Sequence, residues 1–195
     1  MKVIGITGGV GCGKTTVLRY ISDNYNAKVI YADDVAKELM QKDAKAYTRI
    51  VEVFGDGILR EDLEIDRAKL SQIVFTNKFK LVVLNSIVHP LVKKHIIEDI
   101  ARESCEQKYD YVFVEAALLI EDHYDVICDE LWYIYADETV RRNRLKESRN
   151  YTDEKIDDVI SNQLSEDEFR KACQETIDNS YEFEYTKCQI DKLLG

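Results

Sequence analysis

Near the amino end the chain carries Gly8-Gly9-Val10-Gly11-Cys12-Gly13-Lys14-Thr15, residue types suited to gripping a polyphosphate. Every fixed position of the pattern G-x-x-x-x-G-K-[ST] is filled. Glycines let backbone N–H groups turn inward around phosphate oxygens where a Cβ would clash. Lys14 is placed to reach β- and γ-phosphates, and the Thr15 hydroxyl is a hard oxygen donor suited to Mg2+. A short apolar run (residues 2–7) precedes the loop and a helical pattern (residues 14–25) follows it. The positive end of that helix then adds to the anion site. Gly9, Val10, Gly11, Cys12, Gly13, Lys14, Thr15 and Thr16 are therefore the expected nucleotide-binding residues, with Thr15 as the Mg2+ ligand.

A GTPase would also need N-K-x-D to read its base. The one candidate, Asn77-Lys78-Phe79-Lys80, lacks the acid and falls in a helical block. A large motor does not fit in 195 residues. A small-molecule kinase using ATP does, and it needs a group beside the acceptor hydroxyl. Asp33 stands just past the second strand pattern, at the sheet edge where open α/β proteins bind ligands. A carboxylate there can accept the acceptor's proton or orient it for in-line attack. Asp34 is the rival, turned about 100° further round a helix. Both acids would also suit a helix's first turn without any chemistry. Glu115 closes a later apolar strand and could hold Mg2+ through water, or simply be a surface acid at a strand end.

Arg141, Arg142, Arg144, Lys146 and Arg149 put five cations into nine residues of a chain whose net charge is −10. On a helix, Arg141, Arg144 and Ser148 share one side, and Arg142 and Arg149 another. Such a segment could neutralise a transferring phosphoryl group, or form a solvated face paired with Glu138 and Glu147.

The elements that must position these groups alternate. Strand patterns at 2–7, 29–32, 109–114, 130–135 and 175–177 are interleaved with helical ones, which argues for a parallel sheet covered on both faces. The fold class is α/β, with a helical insertion over residues 43–104 that reads as almost wholly helical. Asp66 is a candidate helix cap, and Ser165 with Glu168 has capping-box spacing. Pro90, the one proline, is expected to separate a helix before His89 from one running from Pro90 to about Ser104. An acidic chain is a poor partner for nucleic acid or anionic membrane. The five cysteines form no C-x-x-C pair and suit free thiols in a cytoplasmic protein. No stretch has the ~18 apolar residues of a membrane span.

Taken in order, IGITGGVGCGKTTV, VIYADDVAKEL, IDRAKLSQIVF, LNSIVHPLV, EAALLIE, RLKESRNYTDEKI with its NQL, and TIDNS resemble the dephospho-CoA kinase family over nearly the whole chain. The resemblance implies a P-loop NTPase-type core with an arginine-bearing lid, and ATP- and Mg2+-dependent phosphorylation of the ribose 3′-hydroxyl of dephospho-CoA. It assigns residues 1–42, 105–136 and 164–195 to the core, 43–104 to a CoA-substrate domain and 137–163 to the lid. It makes Asp33 the acid beside the acceptor hydroxyl and gives Arg67, His89 and Glu115 to the substrate. Lys14, Arg144 and Arg149 go to phosphoryl transfer, and Asn179 to the adenine side. A monomer or weak homo-oligomer is expected. The sequence departs from the family pattern at Tyr31, where an acid is usual, at Ala117 in place of proline, and at Cys12 in place of serine. The lid is one residue longer between Leu145 and Arg149.

Overall fold

The computed structural model describes all 195 residues. Five strands form one sheet: β1 (Lys2–Thr7), β2 (Ala27–Tyr31), β3 (Tyr111–Glu115), β4 (Glu130–Tyr135) and β5 (Glu175–Asp178). Their order is β2-β3-β1-β4-β5. β1 runs parallel to both β3 and β4, and β4 runs parallel to β5. Strands covered on both faces have nowhere to put polar side chains, so they read as unbroken apolar runs. Val112, Phe113 and Val114 of β3 and Trp132 and Ile134 of β4 are accordingly buried.

Backbone contacts divide the chain into two units, Met1–Ile30 with Glu106–Gly195, and Tyr31–Cys105. The first holds the phosphate loop and α1 (Lys14–Asn24), which buries Val17, Leu18 and Ile21. It also holds α6 (Glu138–Arg149), α7 (Asp153–Ser161), α8 (Glu166–Ala172) and α9 (Phe183–Leu194). The expected capping box is present: Ser165 accepts from the Glu168 backbone, and Glu168 reaches back to the Ser165 backbone.

The second unit holds α2 (Ala32–Leu39), α3 (Tyr47–Phe54), α4 (Arg67–Phe75) and α5 (Lys78–Glu106) up to its last residue. Asp66 caps α4 through the backbone N–H groups of Ala68 and Lys69 at 3.0 and 3.1 Å. Two expectations are corrected here. Residues 55–66 are not helical beyond one short turn, and Leu59 pairs with Ile65 in an antiparallel bridge. Gly55, at φ 79°, ends α3, and the stretch after it buries only Ile58 and Ile65, seven residues apart and without the close helical spacing of an apolar face. Nor does the helix break at His89-Pro90: α5 runs through the proline for 29 residues. An interior proline costs a helix about 3 kcal/mol. Val88, Val92 and Ile96 are buried at four-residue spacing across it, so one continuous apolar face outweighs the lost hydrogen bond.

Candidate active site

The phosphate loop leaves β1 and turns into α1 through left-handed backbone at Gly11 (φ 84°) and Gly13 (φ 92°). At Gly13 a Cβ would also overlap the Asn179 amide. The carbonyl of Gly13 accepts from the N–H groups of Thr16 and Val17 at 3.0 and 3.1 Å, which starts the helix. Thr15 and Thr16 are exposed on its first turn. Lys14 curls back over the loop: its ammonium donates to the Gly8 carbonyl at 2.7 Å and lies 3.8 Å from the Glu115 carboxylate. Both side chains are largely buried, at 17% and 18% exposure, so this is not a solvent-screened surface pair.

The loop is held from behind. Cys12 is buried, and its carbonyl accepts from Asn179 Nδ2 at 2.8 Å and from Arg144 Nη1 at 3.3 Å. Asn179 is itself buried, and its Oδ1 accepts from the Thr186 hydroxyl at 2.9 Å. Its side chain therefore ties the loop to α9. Arg144 also donates through Nη2 to the Asn179 carbonyl at 2.9 Å.

The arginine-rich helix sorts its cations by face. Arg142 points to α7, bound to Glu138 and Asp157; those hydrogen bonds, Asp157 first, push its pKa above the ordinary arginine value. Arg141 and Arg144, three residues apart, turn to the phosphate loop. Arg149 ends the helix with its guanidinium 5.9 Å from the Tyr151 ring.

In the second unit, Asp33 is exposed in the first turn of α2, and Asp34 beside it pairs with Lys37 at 2.5 Å. Arg67 opens α4 and donates to the Lys37 carbonyl at 3.1 Å. His89 is half-buried within α5.

Two residues at the loop had no assigned role from sequence. Arg141 donates through Nε to the Val10 carbonyl at 2.9 Å and through Nη2 to Gln163 Oε1 at 2.7 Å. The same Gln163 oxygen accepts from the Val10 N–H at 3.3 Å. The available signals were the shared helical face of Arg141 and Arg144, and the NQL that follows the lid pattern.

A phosphate loop after the central strand of a parallel sheet, with helices on both faces, defines the P-loop NTPase-type fold, and the structural neighbours that share it are P-loop kinases. Solved structures share this fold. The dephospho-CoA kinase from Campylobacter jejuni superposes with a TM-score of 0.72 at 24% identity, covering 100% of this chain and 98% of the other. A shikimate kinase from Acinetobacter baumannii gives 0.53 at 13%, covering 100% and 91%. The dephospho-CoA kinase family model matches residues 2–184. The dephospho-CoA kinase of Carboxydothermus hydrogenoformans is 36% identical over 194 residues, covering 100% of this chain and 93% of the relative. That of Oceanobacillus iheyensis is 35% identical over 192 residues, covering 98% and 96%. The chain belongs to the dephospho-CoA kinase family, whose activity is the ATP-dependent phosphorylation that ends coenzyme A biosynthesis.

Proposed function

We propose that this chain phosphorylates the ribose 3′-hydroxyl of dephospho-CoA, with the ATP phosphates in the loop formed by residues 8–16 and Asp33 facing the acceptor hydroxyl. Asp33 accepts the hydroxyl proton, the 3′-oxygen attacks the γ-phosphorus, and the bond from that phosphorus to the β-γ bridging oxygen breaks, releasing ADP. Lys14 leaves the Gly8 carbonyl for the β- and γ-phosphates, where its charge follows the one developing on the transferring group. Arg144 and Arg149 add to that neutralisation, and closure of residues 137–163 keeps out water that would hydrolyse ATP.

The oxygen donors suit Mg2+: Thr15 offers an exposed hydroxyl and Glu115 a carboxylate beside Lys14. Bound there, the ion would supply charge neutralisation for the phosphates. Arg67 and His89, in the helical block at 43–104, serve the CoA portion, and the Asn179 segment borders the adenine. The enzyme works in the cytoplasm as a monomer or weak homo-oligomer, without nucleic acid or membrane. Five unbridged cysteines suit a reducing compartment, and the net charge of −10 disfavours nucleic acid and anionic membrane as partners.

The observation that carries the reading is Lys14 held at the loop mouth between the Gly8 carbonyl and Glu115, in a chain that the family model matches over residues 2–184. A coupled assay across acceptors, with the position of the new phosphate determined, tests it. Turnover with dephospho-CoA giving a 3′-phosphate is expected; turnover only with a nucleoside or a shikimate-like alcohol would overturn it.

A further inference from the structure

Adjacent arginines on α6 are treated in opposite ways. Arg142 is neutralised by the carboxylates of Glu138 and Asp157. Arg141 is half-buried against the phosphate loop, and its acceptors are the Val10 carbonyl and the Gln163 amide oxygen, neither of them charged. Two donors, Arg141 Nη2 and Val10 N–H, converge on that one oxygen, which fixes which way the amide points. Val10 is thus held at both ends of its residue, by N–H and by carbonyl. A Cβ on Gly9 would overlap the guanidinium, so the loop is built to let this group approach.

Packing does not explain the arrangement. Arg141 and Gln163 line a cavity of about 530 Å³ with Tyr133, Tyr135, Glu166 and Phe169. Side chains bordering open space are fixed by their hydrogen bonds, not by neighbours on every side.

We propose that Gln163 is a positioning residue for ATP binding: it clamps Arg141 across Val10 while leaving the guanidinium charge uncancelled beside the polyphosphate. A carboxylate at position 163 could make the same two contacts and would neutralise the cation. A glutamine holds it and does not. This rests on the ATP site proposed above, but not on the acceptor.

Equilibrium titration with ATP and Mg2+, with no acceptor present, tests it, alongside melting curves. Gln163→Glu keeps both acceptor contacts, so its melting temperature should match or exceed that of the parent. Its ATP Kd should rise about tenfold and depend less steeply on salt, because one positive charge has been cancelled. In an Arg141→Ala background the same substitution should change Kd little, since its effect passes through Arg141. Should Gln163→Glu not fold, Arg141→Lys against Arg141→Ala asks the same question: the lysine should retain most of the affinity that alanine loses. Wild-type ATP affinity in Gln163→Glu or in Arg141→Ala, or an undiminished effect of Gln163→Glu without Arg141, would overturn the proposal. Acceptor identity enters none of these readouts, so a failure here is separate from a failure of the dephospho-CoA assay.

Discussion

The Lys14 ammonium donates to the carbonyl of Gly8, six residues back along the same loop, at 2.7 Å. In the proposed reading, the cation that meets the ATP phosphates is thus stored against the backbone that would cradle them. Glu115, 3.8 Å away, offers a second anchor. Phosphate binding there would exchange these partners for phosphate oxygens without drawing a charge out of bulk water. That exchange is the preorganisation that makes a fixed cation effective in a transition state.

Lys14→Ala removes the cation from both states. Transfer should fall by about a hundredfold or more, the scale for losing one preorganised charge donor, and ATP should bind more weakly. Steady-state kinetics with a direct ATP titration checks this. Normal values for both would remove Lys14 from the site.

Asp33→Asn keeps the shape of an exposed side chain and removes its basicity. ATP affinity and melting temperature should stay near the parent values, while kcat drops about 10²–10⁴-fold, the usual span of general-base assistance. Undiminished turnover would leave Asp33 as a residue of the α2 first turn and nothing more.

Asn179→Ala leaves the Cys12 carbonyl with Arg144 alone and takes a partner from the buried Thr186 hydroxyl. Each keeps one partner, Arg144 and the Asp178 carbonyl, so the loss is of two hydrogen bonds at about 0.5–1.5 kcal/mol apiece. Thermal melting should therefore drop by several degrees, and the ATP Kd should worsen with it, because the strut bears directly on the loop. An unchanged melting temperature would contradict that role.

A pH effect follows from α9. Asp191 accepts from the hydroxyls of Tyr20 and Tyr25 at 2.7 and 2.6 Å. Tyr25, then Tyr20, holds the carboxyl below its ordinary range, and Asp191 in turn pushes Tyr20 up to about 12. For the acid, a lowered folded pKa means its contribution is present above the unfolded value and is lost as pH falls through the folded one. For Tyr20, a raised folded pKa means the contribution is complete below about 10 and disappears as pH climbs towards 12. Asp191→Asn should flatten the acid limb of stability and bring phenolate absorbance in at lower pH. Superimposable titrations would rule the contact out as their cause.

The loop, the five strands and the capping residues Asp66 and Ser165 were legible because each is a local signal. A glycine spacing, an apolar run or a side chain reaching two or three residues ahead is complete within a short window. Pro90 misled for the same reason. Read locally a proline ends a helix, and only the buried face of Val88, Val92 and Ile96 shows why this one does not. The turn over residues 55–66 was lost inside a long helical pattern because its one strand-like contact, Leu59 with Ile65, spans a tight loop with no alternation to announce it.

By itself, the sequence determined the phosphate-loop pattern and its place in the chain, since the chemistry expected of that loop lies in consecutive backbone amides. It also determined the family, through the order of blocks along the chain. Which arginine does what was decided only by tertiary structure. Arg141, Arg142 and Arg144 have the same side chain within four positions, and they differ only in what the fold sets opposite them: an amide oxygen and a carbonyl, two carboxylates, or two carbonyls. A charge acts according to its surroundings, and Gln163, Asp157 and Asn179 reach those surroundings from 15 to 35 residues away.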